Sequence, residues 1–280
     1  MIEVLTTQLQ LRPLVVAASS ISMAGAVLLV ITFRFERKKA IFLVFQSWRY
    51  LVPGSLLIAG GVFAWYDSVE RVGASKEGLV AGPLETIAVL FLARAFLQEK
   101  LNRLQMVGIF IAITGFFATV MSSGTTQLVI TLGDIEAIFS ALSFGSGIIF
   151  VTKMTKTHSA LAVTAATLFV SGVVLAAILW ASNLPNIMLS DWMLLLLFSF
   201  IPLSAALTYV IGLARMGASL TSTIASFSIL LTVIFQLILL SVGIQVILPS
   251  SIPLAIVGGA LGVFGIYLIH RTDLTKIQGA

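Results

Sequence analysis

Nine apolar runs, each about as long as the hydrocarbon core of a bilayer is thick, occupy most of this 280-residue sequence. A transmembrane helix needs roughly 20 consecutive apolar residues, and the connections between these runs are short. The predicted spans are 14–33, 48–66, 78–97, 104–122, 133–152, 160–182, 190–213, 220–242 and 251–269. The pattern predicts an all-α membrane protein with nine transmembrane helices and no sizeable soluble domain.

The composition excludes several other classes of protein. Apolar residues make up 59% of the chain and charged residues 10%, whereas soluble domains have roughly 45–50% and 25%. The absence of cysteine excludes a disulfide framework, a thiolate metal site and a cysteine nucleophile. His158 and His270 lack the spacing of metal ligands, and no nucleotide-binding loop or nucleophile elbow is present. We therefore expect no enzyme, no metal and no cofactor.

Lysine and arginine residues are distributed unequally between the two sides of the predicted membrane. Three fall on one side: Arg12, Arg71 and Lys76. The others fall on the opposite side: Arg34, Arg37, Lys38, Lys39, Arg49, Arg94, Lys100, Arg103, Lys153, Lys156, Arg215, Arg271 and Lys276. In short loops such an excess marks the cytoplasmic side. We therefore expect a cell-membrane protein whose C-terminus is cytoplasmic and, with nine spans, whose N-terminus is outside. The net charge of +5 reflects this topology and does not imply nucleic acid.

Two segments share the pattern Arg-x-Gly-Ala-Ser, and each lies between two predicted spans, at 71–75 and 215–219. About 35 to 40 residues later, each is followed by two glycines seven residues apart, which permit close helix packing. These pairs are Gly108 with Gly115 and Gly258 with Gly265. Five spans separate the two copies, so the copies have opposite orientations in the membrane. Inverted repeats of this kind are typical of secondary transporters.

The two predicted repeats differ in length. The second contains five spans over 133–269, the first contains four over 14–122, and residues 270–280 follow as a cytoplasmic tail. We expect that the opening helix of a ten-helix arrangement is absent from the first repeat. Either the protein lacks this helix or the sequence as it stands does not include it.

Several short motifs follow one another in the first repeat: Ala64 to Ser75, Pro83, Gln98-Glu99-Lys100-Leu101, and Gly108 with Gly115. The second repeat opens with Gly133-Asp134-Ile135-Glu136-Ala137, followed by Ala141-Leu142-Ser143. Together these motifs resemble the EamA-type domain of the drug/metabolite transporter superfamily over nearly the whole chain. The resemblance implies a ten-helix bundle of two inverted repeats that exports amino acids, other small metabolites or drugs. The chain departs from the pattern at Phe227, which occupies the position of Pro83 in the second copy.

Glu85 is the strongest candidate for a functional residue. A carboxylate inside a span costs about 2.5–3.5 kcal/mol, so it should face the bundle interior or a cavity. There it could carry a proton or pair with the amine of a substrate. The alternative is that Glu85 lies near enough to the outer leaflet to be hydrated. Pro83, two residues earlier, removes one backbone hydrogen bond and is a candidate hinge.

Five polar or aromatic residues are further candidates for the substrate or proton pathway. Thr232 and Gln236 lie in the span 220–242, where they could bind polar groups of a substrate or link helices by hydrogen bonds. Trp65, Tyr66 and Tyr209 occupy matched positions in the two repeats. They could form two aromatic gates, one near each membrane face, or belong to the interfacial aromatic belt.

The sequence therefore predicts a secondary transporter that exports small organic metabolites such as amino acids, with the proton as candidate coupling ion. Its partners would be a small-molecule substrate and the lipid bilayer. A nucleotide-sugar or phosphate-ester exchanger is an alternative that would need cationic residues in mid-span, and the predicted spans contain none there. A non-transporting membrane scaffold, degenerate in its first repeat, is the other alternative. The substrate, the coupling ion and the oligomeric state are left open.

Overall fold

The computed structural model describes residues 2–7, 10–36, 46–97, 103–121, 130–182, 189–226, 228–247 and 251–277. In these ranges the secondary structure is α-helical, without a β-strand, so the all-α prediction is confirmed for them. The helices are α1 (Ile2–Thr7), α2 (Pro13–Phe35), α3 (Trp48–Val72), α4 (Ala74–Leu97), α5 (Arg103–Met121), α6 (Leu132–Thr155), α7 (Ala160–Ala181), α8 (Leu189–Ser226), α9 (Ser228–Ser241) and α10 (Ile252–Ile277). Phe227 lies outside the described residues.

Among the described residues, five helices are long and apolar enough to cross a membrane. The qualifying segments are Pro13–Phe35, Ala74–Phe96, Leu132–Thr155, Ala160–Ala181 and Asp191–Ala218. Shorter apolar stretches lie in α5 and α10, at Met106–Thr119 and Ile252–Leu268. Helix α3 is long enough, but proline, glycine and serine residues dilute its apolar content. The described part of α9 has only 14 residues.

Three helix pairs make the most extensive contacts: α2 with α7, α3 with α6, and α5 with α10. Each pair joins a helix before residue 122 to a helix after residue 130, so the two halves of the chain form one bundle. A large apolar core lies between α2, α3, α7 and α8 and includes Val16, Leu28, Leu175 and Leu195. The halves are therefore held together along much of the length of the helices.

The glycines predicted to permit close packing lie where α5 meets α10. A Cβ atom on Gly115 would lie 2.5 Å from the Gly258 carbonyl oxygen and 2.6 Å from the Gly262 amide nitrogen. A Cβ atom on Gly265 would lie 2.5 Å from the Gly108 carbonyl oxygen. All three distances are far inside van der Waals contact, so the two backbones can approach this closely only at glycine. The prediction of close packing at these positions is confirmed.

Serine side chains connect neighbouring helices through hydrogen bonds to backbone carbonyls. Ser171 Oγ on α7 donates to the Ser55 carbonyl on α3 at 2.9 Å. Ser68 Oγ on α3 donates to the Gly133 carbonyl on α6 at 2.8 Å. In a bilayer such bonds stabilise helix association, because hydrocarbon offers these groups no alternative partner.

One glycine in each copy of the Arg-x-Gly-Ala-Ser pattern has the same backbone geometry. Gly73 joins α3 to α4 with φ +83°, and Gly217 interrupts α8 with φ +83°. The ψ angles are 155° and 172°, a region that is essentially restricted to glycine. The surroundings differ, because a Cβ atom on Gly73 would collide with Ile247, whereas a Cβ atom on Gly217 would meet nothing within 4 Å.

We expect Gly73→Ala to destabilise the protein more than Gly217→Ala. Both substitutions force a side chain into a glycine-only conformation, at a cost of about 1–3 kcal/mol. Only Gly73→Ala also pushes against the Ile247 carbonyl oxygen and side chain. Unfolding of the purified variants by titration with sodium dodecyl sulfate in mixed micelles measures the two free energies. Equal losses of stability in the two variants would contradict the assigned role of Ile247.

Candidate functional site

Glu77, Ala81 and Glu85 lie along one face of α4, at intervals of four residues. Positions separated by four residues lie above one another on a helix, about 6 Å apart along the axis. Glu77 and Ala81 are buried, and Glu85 is partly buried. Helix α4 therefore presents two inward carboxylates, separated by one small side chain. Glu85 lies on the side of α4 that meets α8, and its part in a substrate or proton pathway stays a prediction.

Tyr209 of α8 contacts the deeper of these carboxylates. Its hydroxyl donates a hydrogen bond to Glu85 Oε1 at 3.3 Å, across 124 positions of sequence. Tyr209 is partly buried and packs against the apolar cluster that α3, α4, α6, α7 and α8 share. The contact brings together two of the residues that the sequence selected, one from each half of the chain.

Trp65 of α3 is the sequence counterpart of Tyr209, and it contacts the other carboxylate. Its indole lies beside the Glu77 carboxyl group. The indole also packs edge-on against Tyr66, with ring centroids 5.4 Å apart, and against Phe144 at 6.2 Å. Matched aromatic positions in the two halves therefore each meet a carboxylate of α4.

Tyr66 has different surroundings from Trp65. Its side chain is 1% exposed in the apolar core, and its hydroxyl lies 3.3 Å from Ser20 Oγ on α2. In the described part of the chain, the Tyr66 hydroxyl forms no hydrogen bond with Glu77 or Glu85. Its part in a gate stays a prediction.

Pro83 lies inside α4 without interrupting the helix, which is continuous from Ala74 to Leu97. Its ring packs toward Gly262 of α10, where a Cβ atom would lie 3.0 Å from Pro83 Cγ. The close contact with α10 fixes the position of the ring. Its function as a hinge stays a prediction.

Thr232 and Gln236, the two candidates on α9, line a cavity of about 230 Å³. The remaining lining residues are Glu3, Ala74, Phe235, Leu239 and Val246. Glu3 is 2% exposed, and its Oε2 accepts hydrogen bonds from the Ala74 backbone N–H at 3.1 Å and from the Gln236 side-chain amide. The Ile247 backbone N–H donates to Glu3 Oε1. We refer to this space as the Glu3 cavity.

Charged side chains link the two halves at the predicted outer end of the bundle, where α4 and α6 begin. Lys76 Nζ lies 2.8 Å from Asp134 Oδ1, and the two side chains are 5% and 1% exposed. Asp134 also caps α6 through a reciprocal pair of hydrogen bonds with Thr131. Arg71 of α3 pairs with Asp67 at 2.9 Å and with Glu136 at 3.0 Å, in a more exposed position.

The opposite end of the bundle is held by hydrogen bonds to the segment between α6 and α7. Ser159 Oγ donates to Glu36 Oε2 at 2.5 Å, and Ser47 Oγ lies 2.9 Å from His158 Nε2. Burial lowers the pKa of His158 from its ordinary value, so this imidazole is neutral at pH 7. Within the described ranges, no group of three or more His, Asp or Glu residues is placed to hold a metal ion.

The model of the EamA-like transporter family matches the sequence at residues 4–121 and again at 131–270. The chain belongs to the EamA-like transporter family. This family is part of the drug/metabolite transporter superfamily, so the chain is a multi-pass membrane transporter. The resemblance seen in the sequence motifs is confirmed.

Known structures support the fold of this EamA-like transporter. Eighteen chains of solved structures match it. One of them, titled "Crystal structure of protein", aligns with a TM-score of 0.66 and 18% sequence identity, over 96% of this chain and 90% of its own. At this identity the likeness concerns the fold alone. No curated protein sequence matches the chain.

Two carboxylates of this EamA-like transporter were not among the residues selected from sequence. Glu77 lies one residue before the predicted span 78–97, and Glu3 lies before the span 14–33. Helix α4 begins at Ala74, which brings Glu77 onto the helical face of Glu85. The spacing of eight residues between Glu77 and Glu85 is the signal that could have identified this pair.

Proposed function

We propose that this protein is a secondary transporter that exports small organic metabolites, such as amino acids, across the cell membrane by alternating access. The proposed architecture has nine spans in two inverted repeats, residues 14–122 and 133–269, with a cytoplasmic C-terminus and an N-terminus outside. The family membership supports transport, and the identical φ angles of Gly73 and Gly217 support a repeated unit.

The contact between Tyr209 and Glu85 carries this proposal. Alternating access requires interactions between the two halves that form in one state and break in the other. The Tyr209 hydroxyl and the Glu85 carboxylate belong to opposite halves and are only partly buried. A single hydrogen bond to a partly accessible carboxylate can be exchanged for one to a substrate, unlike a contact within a close-packed core.

Glu85 is the proposed coupling group. When it is ionised it can pair with an ammonium group, and when it is protonated it can release that group and move with no net charge. Either exchange would change its hydrogen bond with Tyr209. The proton is therefore the proposed coupling ion, and the movement of α8 relative to α4 is the proposed conformational step.

Uptake into proteoliposomes tests the proposal. The purified protein is reconstituted and offered a labelled panel of amino acids, amines, nucleosides and nucleotide sugars, with and without a pH gradient. We expect accumulation of one class above protein-free vesicles and faster accumulation with the gradient. Accumulation of nucleotide sugars alone would favour an exchanger, and no accumulation by protein shown to be folded would favour a scaffold.

A further inference from the structure

The ammonium group of Lys153 lies between two aromatic rings, at the end of the bundle where α6 ends. Its Nζ is 5.5 Å from the ring centroid of Tyr50 on α3 and 4.9 Å from the ring centroid of Phe96 on α4. Aromatic rings at these distances attract a cation through their π-faces. Both rings are exposed at the surface of the bundle. Helices α3, α4 and α6 together therefore fix the position of one positive charge at that surface.

The positive charge of Lys153 is not neutralised by a carboxylate. In the described part of the chain, no Asp or Glu oxygen lies within ion-pair distance of this ammonium group. An ammonium group has three N–H donors, and aromatic rings accept hydrogen bonds only weakly. Hydrogen bonds between two charged groups are roughly twice as strong as those between neutral groups. An anionic oxygen is therefore the acceptor that this position favours.

Two further cations lie close to Lys153. Lys156 follows three residues later, on the same side of the end of α6. Arg49 precedes Tyr50 in the first turn of α3, and its guanidinium lies 5.8 Å from the centroid of the exposed Trp48 ring. Neither cation forms an ion pair with a carboxylate of the described residues. Because like charges repel one another, a ligand with a net negative charge would stabilise this end of the bundle.

An apolar face of α6 continues from Lys153 into the predicted membrane span. Ser146, Leu142 and Phe139 lie seven, eleven and fourteen residues before Lys153, which places all four on one side of the helix. Leu142 and Phe139 are 51% and 55% exposed. Lys153 itself lies one residue after the predicted span 133–152, at the expected depth of the lipid head groups. A molecule bound along this face would have its charge at the interface and its apolar part in the hydrocarbon.

We propose that Lys153, Tyr50, Phe96, Arg49 and Lys156 form a binding site for an anionic phospholipid, which we call the Lys153 site. The lipid phosphate accepts hydrogen bonds from the Lys153 ammonium group, and one acyl chain lies along the exposed face of α6. A zwitterionic phospholipid fits less well, because its own ammonium group would approach the same cations. Basic pockets between transmembrane helices bind anionic head groups in this way. This inference goes beyond the proposed function and does not depend on transport.

Equilibrium binding of radiolabelled dioleoylphosphatidylglycerol to the full chain in micelles of a neutral detergent, at neutral pH and low salt, tests the Lys153 site. We expect saturable binding that the unlabelled lipid displaces. Dioleoylphosphatidylcholine has the same acyl chains but no net charge, so it should compete about tenfold less well. Inorganic phosphate has no acyl chain and should not displace the lipid. Absence of saturable binding, equal competition by dioleoylphosphatidylcholine, or displacement by inorganic phosphate would overturn the proposal.

Three substitutions locate the binding. Lys153→Met keeps an unbranched side chain and removes the charge, so the affinity for dioleoylphosphatidylglycerol should fall by about tenfold. Lys153→Arg keeps a cation between the two rings and should retain most of the affinity. Arg103→Met removes an exposed cation on α5, which packs against α4 and α10, and should leave the affinity unchanged. Unchanged affinity in Lys153→Met, or an equal loss in Arg103→Met, would contradict a site at Lys153.

Thermal unfolding in the same micelles provides a second measurement. A ligand that binds only the folded protein stabilises it, so added dioleoylphosphatidylglycerol should raise the Tm of the unmodified protein and of Lys153→Arg. We expect a much smaller increase for Lys153→Met. Equal increases in Lys153→Met and the unmodified protein would show that the lipid stabilises the bundle without the Lys153 site, and the proposal would fail.

Discussion

Glu85→Gln is expected to reduce gradient-driven uptake to the level of protein-free vesicles. Glutamine has nearly the same size and still offers an oxygen to the Tyr209 hydroxyl, so the contact between α4 and α8 can persist. It cannot exchange a proton, and it offers no negative charge to a cation. The measurement is the initial rate of uptake of the compound that accumulates with the unmodified protein, with and without a pH gradient.

Two further variants make the result specific to Glu85. Glu70→Gln makes the same chemical change near the end of α3, outside the predicted span, and should leave the rate unchanged. Tyr209→Phe removes only the hydroxyl and should lower the rate by about tenfold, the effect of losing one hydrogen bond to a charged group. A Glu85→Gln protein with the unmodified rate and pH dependence would exclude the coupling role.

Lys76→Met is expected to lower the free energy of unfolding by about 3–5 kcal/mol. The substitution leaves Asp134, which is 1% exposed, without its cation between α4 and α6. The cost of an uncompensated buried charge greatly exceeds the loss of a contact at the surface. Titration of the reconstituted variants with sodium dodecyl sulfate measures the difference from the unmodified protein.

The chain contains a matched control for this substitution. Arg71→Met removes a cation from the same end of the bundle, but Arg71 is 44% exposed, so its loss should cost less than about 1 kcal/mol. The double variant Lys76→Met with Asp134→Asn should recover much of the stability, because it removes both charges. Equal losses in Lys76→Met and Arg71→Met would show that the pair is solvated rather than buried.

The sequence predicted the helices best where apolar residues run without interruption. The predicted span 160–182 matches α7, Ala160–Ala181, almost residue for residue. Helix α3 extends six residues beyond the predicted span 48–66, because Arg71 and Asp67 pair one turn apart and the helix continues through them. A hydropathy pattern places the end of the span at these charged residues, although the helix continues past them.

The candidate site could be predicted only in part. The depth of Glu85 in a span identified it without knowledge of the fold. Its contact with Tyr209 joins residues 124 positions apart, and no local pattern encodes that pairing. Glu3 was not selected from the sequence, because two of its hydrogen-bond donors are backbone amides, those of Ala74 and Ile247, and every sequence contains such groups. Backbone N–H groups form a binding site for a particular carboxylate only when the fold brings them close together.

The depth of Glu85 along α4 makes the proposed transport sensitive to voltage. Glu85 lies eleven residues after the first residue of α4, about 16 Å along the helix axis, and midway along the apolar segment Ala74–Phe96, which is long enough to cross a hydrocarbon core of about 30 Å. A cation that pairs with Glu85 therefore crosses about half of the membrane potential to reach it from either side. Moving one elementary charge across 100 mV involves about 2.3 kcal/mol, so half of that field contributes about 1 kcal/mol to binding. At equal substrate concentrations on the two sides, a membrane potential would therefore favour binding of the cation from one side of the bilayer over the other.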